Sequence, residues 1–101
     1  MRMGRRQATT NAYDVLRATL AALIPDIDGV MGVIGGLDAI KINEVDEDII
    51  EIVVPIAVFS YANVKKIVDK VSSFVEKLVL GVLGMNYIVR VVVLVEDVVE
   101  Q

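Results

Sequence analysis

The sequence predicts an α+β domain in the order helix, strand, strand, helix, strand, with a small mixed three-stranded sheet and the helices packed on one face. Three observations carry that prediction. Val64, Ile67, Val68, Val71, Phe74, Val75, Leu78 and Val82 recur at i, i+3, i+4 and i+7, the spacing of one helical stripe. The stretches 49–59 and 86–96 are dominated by valine and isoleucine, whose branched side chains suit a pleated surface. The acidic segment 44–48 is short enough to turn one strand back on the next as a hairpin.

The elements follow in order. Residues 1–9, with Arg2, Arg5 and Arg6, read as a flexible basic arm ahead of a single domain at 10–101. A first helix is expected to start at Thr10 or Asn11, both good N-caps, with Asp14 in its first turn where a carboxylate suits the dipole. Tyr13, Leu16, Leu20, Leu23, Ile24 and Ile27 fall near helical spacing, and Pro25 should stop the helix at Ile24. Residues 28–38, DGVMGVIGGLD, read as a flexible connection or an irregular strand. A strand is expected at 37–43, then a turn through Glu44, Asp46, Glu47 and Asp48. The second strand is 49–59; its Pro55 cannot donate to a ladder, which predicts an edge position or a bulge.

The second helix opens after Asn63 or Ser60 and closes at Gly81 or Gly84. Lys65, Lys66, Asp69, Lys70, Ser72, Ser73, Glu76 and Lys77 form its wet side. The last strand, 86–96, is apolar on both sides apart from Arg90, and the tail 97–101 reads as polar or frayed. A helical crossover between the last two strands allows them to lie parallel with a right-handed connection.

Composition narrows the function. The chain has 101 residues, 55% of them hydrophobic, and a mean hydropathy of +0.64. That is more apolar surface than one small core needs. The longest uncharged stretches, 52–64 and 78–89, are too short to span a bilayer, and no apolar segment follows the leading arginines as a secretion signal requires. Net charge is −4, split between a basic start and an acidic body: residues 1–24 carry four arginines against Asp14 alone. An acidic body disfavours nucleic acid, whose binding rests on phosphate neutralisation. With no cysteine and no histidine, thiolate sites, imidazole ligands and imidazole bases are excluded.

Nothing in the motifs suggests chemistry. The glycines at 29, 32, 35 and 36 lack the lysine and serine of a phosphate loop and follow a helix instead of a strand. The G-x-x-G matches at 29–32, 32–35 and 81–84 enclose apolar residues and favour turns and close backbone approach over a nucleic-acid clamp. Glu44, Asp46, Glu47 and Asp48 lack the register and central glycine of a calcium loop. Ser72 and Ser73 beside Lys70 and Lys77 are ordinary neighbours on a wet helix face. The sequence therefore predicts no enzyme, no cofactor and no metal.

Counting faces gives the main functional expectation. Two helices cover one side of a three-stranded sheet, yet the last two strands are apolar on both. One set of the final strand, either Val89, Val91, Val93 and Val95 or Ile88, Val92 and Leu94, is left without cover. The first set, with Pro55, is taken as the candidate interaction surface for a second copy, since large exposed apolar patches mark interaction sites.

The whole pattern resembles the alkaline-shock protein family of bacterial envelope stress-response proteins. The matching pieces run from about Tyr13 to Val98: an initial helix entering Ile27-Asp28-Gly29-Val30, an apolar hairpin, and Phe59-Ser60-Tyr61-Ala62-Asn63-Val64 opening a long amphipathic helix. Leu83-Gly84-Met85-Asn86-Tyr87-Ile88-Val89-Arg90-Val91 through Val95-Glu96-Asp97-Val98 closes it. Met85, Arg90 and Ser60-Tyr61 depart from the family's usual residues. The resemblance implies a non-enzymatic, cytoplasmic, self-associating protein, with a small membrane-anchored protein as a second kind of partner. Two alternatives share parts of the pattern. A metal–sulfur cluster assembly domain also begins with a helix and a turn like Leu23-Ile24-Pro25-Asp26-Ile27, but it carries a cysteine that this chain lacks. A regulatory ligand-binding module with a ferredoxin-like sheet would need a leading strand.

Overall fold

A computed structural model describes residues 2–100, with side chains from 12 to 100. The chain is mixed α+β: helix α1 (Arg2–Leu23), strands β1 (Val30–Val33), β2 (Lys41–Asp46) and β3 (Ile49–Phe59), helix α2 (Val64–Leu83) and strand β4 (Ile88–Val99). Both helices lie on one face of the sheet. Their buried residues, Leu16 and Leu20 from α1 and Ile67, Val71, Val75 and Val79 from α2, form one cluster with Ile50, Ile52, Val54, Ile56 and Val58 of β3. Full burial of an aliphatic side chain is worth about 1.5–3 kcal/mol, so this stripe is the principal source of stability.

β3 is the centre of the sheet. It pairs along its whole length with β4 in parallel, as a crossover through α2 permits. Its other edge is shared by two antiparallel strands laid end to end: β2 against 49–53 and β1 against 56–58. The sheet thus has four strands but is three wide, the third being one strand broken in the middle. The insert between its halves contains Gly35 and Gly36, both at positive φ, and a single 3-10 turn, Leu37–Ala39. That turn replaces the first half of the strand expected at 37–43. Of the two readings of 28–38, the irregular strand holds for part of it: Val30–Val33 is β1, with a register shift between Val30 and Gly32.

The broken strand explains Pro55. The proline sits in the middle of the central strand, not at an edge; of the two expected settings, edge or bulge, the register irregularities lie just beyond it, at Ile56/Ala57 against β4 and at Ala57/Val58 against β1. Its carbonyl accepts from the Ile34 amide at 3.0 Å, so the backbone of Pro55 faces the β1–β2 side. There it meets the break, beyond the last β1 pair, Val33 with Ile56, and before the first β2 pair, Lys41 with Val53. A missing N–H at that point forfeits no ladder bond, which is the condition for proline inside a sheet.

The helix ends follow local chemistry. α1 stops at Leu23, and Pro25 lies in a following 3-10 turn, Ile24–Asp26, whose first positions tolerate a missing N–H. α1 begins at Arg2, before the expected start at Thr10 or Asn11. Arginine, glutamine, alanine and methionine in this segment are good helix formers. Asn63 caps α2, its side chain accepting from the Lys66 amide at 3.2 Å, and Gly84, at φ 115°, ends it. β4 continues to Val99 in place of the polar or frayed tail expected from 97, because the Ser60 amide holds the Val99 carbonyl at 2.9 Å.

Gly29 sets the fit between β1 and α2. It is buried at φ 93°, and a Cβ there would lie 2.6 Å from Ile67 Cδ1 and 3.0 Å from Ala62 Cβ. Only glycine combines that backbone with that approach.

Candidate functional site

The face of the sheet away from the helices is the candidate site. Alternation along β3 assigns it Ile49, Glu51, Val53, Pro55, Ala57 and Phe59. Parallel register sets β4 beside them: Ile49 with Ile88, Glu51 with Arg90, Val53 with Val92, Pro55 with Leu94. Pro55 and Ala57 are buried, sunk between neighbouring rows. Ile88, Val92 and Leu94 stand out at 59%, 36% and 41% exposure. Lys41 and Asn43 of β2 form a polar rim on the other flank, with Asn43 Nδ2 donating to Glu51 Oε1 at 3.4 Å. The result is an apolar strip over Val53, Pro55, Val92 and Leu94, separated from Ile49 and Ile88 by the Glu51–Arg90 row and flanked by Lys41 and Asn43.

The expected interaction set requires a correction. Val89, Val91, Val93 and Val95 are half-buried and pack against the helix-side core, so their side chains are not the uncovered surface. The register decides this: Val89 pairs Ile50, Val91 pairs Ile52, Val93 pairs Val54 and Val95 pairs Ile56, all core positions of β3. The uncovered set is Ile88, Val92 and Leu94. Pro55 does belong to the uncovered face, at its floor. A strand apolar on both sides carries no signal telling which side the helices take; only register against β3 supplies it.

β4 is also the outer strand of the sheet. Its Ile88 amide donates to the Asp48 carbonyl at 2.7 Å, which points the backbone of Ile88 inward, towards β3. Alternation then points the N–H and C=O groups of Val89, Val91, Val93 and Val95 away from the sheet. Among the described residues no strand pairs with that edge.

The remaining sequence candidates stay separate and exposed. Glu44, Asp46, Glu47 and Asp48 ring the hairpin, where Asp46 Oδ1 accepts from the Glu47 amide at 2.8 Å. Among the described residues there is no group of three or more acidic side chains placed to hold a metal ion. Lys70, Ser73 and Lys77 line an open groove on α2 with Asp69 and Phe74, and no hydrogen bond joins the serine to either lysine among the described residues. No described helix is long and apolar enough to cross a membrane. Among the described residues the one strongly perturbed ionisable group is Tyr13. Burial and its 2.6 Å hydrogen bond to Glu44 Oε1 push its phenol well above the usual tyrosine range. That contact joins α1 to β2 at one end of the helix side of the sheet.

No protein-family model, curated protein or solved structure matches the chain.

Proposed function

We propose that this chain is a non-enzymatic protein that works by self-association through the uncovered side of its sheet. The supporting observation is the exposed pair Val92 and Leu94 beside Val53 and Pro55, adjacent large apolar groups, with Ile88 one row further on beyond Arg90 and Glu51. Scattered exposed apolar residues are normal, but a contiguous patch rimmed by polar groups marks contact with another molecule. The resemblance to alkaline-shock proteins implies the same mode of action, with a stress-response role at the bacterial envelope, a cytoplasmic location and a small membrane-anchored protein as a second kind of partner.

Sedimentation velocity over a micromolar concentration series tests this reading. Self-association should shift the species above 11.0 kDa as concentration rises. Ile88→Asp, on an exposed position, should move that shift to higher concentration while leaving the far-ultraviolet circular dichroism unchanged. A chain that sediments as a monomer throughout defeats the proposal.

A further inference from the structure

The geometry points to a specific contact, which rests on the self-association reading and refines it: we propose that the free edge of β4 pairs antiparallel with β4 of a second copy, about a two-fold axis through Val93. The backbone of the edge comes first. β4 is 12 residues long, and along it Val89, Val91, Val93 and Val95 turn their N–H and C=O groups outward. A long, apolar, unpaired edge is a template for another strand. With the axis at Val93, Val93 faces its own counterpart, and Val91 faces Val95 of the second copy. These are the outward-pointing positions, so each such pair exchanges two N–H···O bonds, about six across the contact.

The side chains then select the register. The segment 90–96 reads RVVVLVE. Run antiparallel to itself about Val93, it places Arg90 of each copy opposite Glu96 of the other, and Val92 opposite Leu94. Both charged residues are exposed, and among the described residues neither is in an ion pair, although Arg90 lies beside Glu51 in the sheet. Opposed charges on adjacent antiparallel strands stabilise a pair, and like charges destabilise it. Other registers lose this match. Axes at Val91, Val92 or Leu94 set Arg90 against Val92, Leu94 or Val98. An axis at Val95 would oppose Arg90 to Glu100 but would drive the bonded ladder through the irregularity that follows Val95, where Glu96 drops out of register with β3; about Val93 the bonded ladder, 91–95, ends before it. A two-fold contact is isologous, so each complementary charge pair occurs twice, and the two apolar strips meet side by side.

Charge reversal with rescue tests the register on the full-length chain. Arg90→Glu and Glu96→Arg should each weaken the dimer about tenfold, since each creates two like-charge pairs. The double variant, Arg90→Glu with Glu96→Arg, should return to within about twofold of the natural chain. Both positions are exposed, and circular dichroism should confirm an unchanged fold. A natural chain that dimerises but is insensitive to both single reversals, or that the double variant fails to rescue, overturns the edge geometry while leaving self-association standing. A chain that stays monomeric at every concentration overturns both.

Discussion

The two faces of the sheet are built from the same residue types and have different fates. On the helix side, Ile50, Ile52, Val54, Ile56 and Val58 of β3 are at most 1% exposed, covered by α1, α2 and the inward row of β4. On the other side, valine, isoleucine and leucine of β4 face solvent beside Pro55 and Ala57. The chemistry of the side chains does not distinguish them. The supply of covering elements does: two helices have enough apolar stripe for one face, and both stripes converge on the same β3 residues. The first face holds the core together, and the second has no covering element among the described residues.

That contrast is tested most severely by matched truncations. Ile52→Ala, at a fully buried position among both helices, should cost about 2–5 kcal/mol in urea unfolding, through lost transfer energy and a residual cavity. Leu94→Ala, on the open face, should cost under about 1 kcal/mol when measured at concentrations where the chain is monomeric. Equal costs at the two positions would mean that the outer face is as much a core as the inner one.

The next largest effect falls where β1 enters beneath the start of α2. Gly29→Ala forces a side chain onto a backbone at φ 93° and towards Ile67, itself a core residue. The expected loss is about 1–3 kcal/mol, read as a lower Tm. Asn63→Ala, which removes the side-chain cap on the same helix end, should cost about 1 kcal/mol. Both substitutions act on the covered face and should leave the affinity between copies, measured under folding conditions, unchanged.

How much of this was legible in the sequence follows from the same contrast. α2 was readable to within a turn at each end, because one apolar stripe lies between two cap residues, Ser60 and Asn63, and two glycines, Gly81 and Gly84; the structure takes Asn63 and Gly84. β3 was readable as 49–59 because a valine–isoleucine run lies between an acidic turn and a helix cap. Its central place was not. Pro55 signals an edge or a bulge by itself, and only the break between β1 and β2, a long-range feature, makes a proline harmless in a central strand. The orientation of β4 was equally hidden, since both its sides satisfy the same hydrophobic criterion. The existence of an uncovered face could be counted from the elements, but its membership could not: Val89, Val91, Val93 and Val95 turn their side chains to the helix side.

The smallest effect probes the margin of the covered face, where β2 extends beyond most of the helical stripe. There Tyr13 of α1 reaches across and donates to Glu44. Burial and that hydrogen bond raise its pKa above the ordinary tyrosine value of about 10. The folded chain therefore keeps this proton at a pH where the unfolded chain releases it. The stability it contributes is complete below about pH 10 and declines as pH rises beyond it. Tyr13→Phe should lower stability by about 0.5–1 kcal/mol near neutrality, a modest figure for a partly exposed hydrogen bond. The difference between natural chain and variant should shrink as pH climbs from about 9 to about 11. Subtracting the variant removes the titration of the other tyrosines and the lysines, so a difference that stays constant over that range would mean that the Tyr13–Glu44 contact does not join α1 to β2 at this end of the helix-covered face.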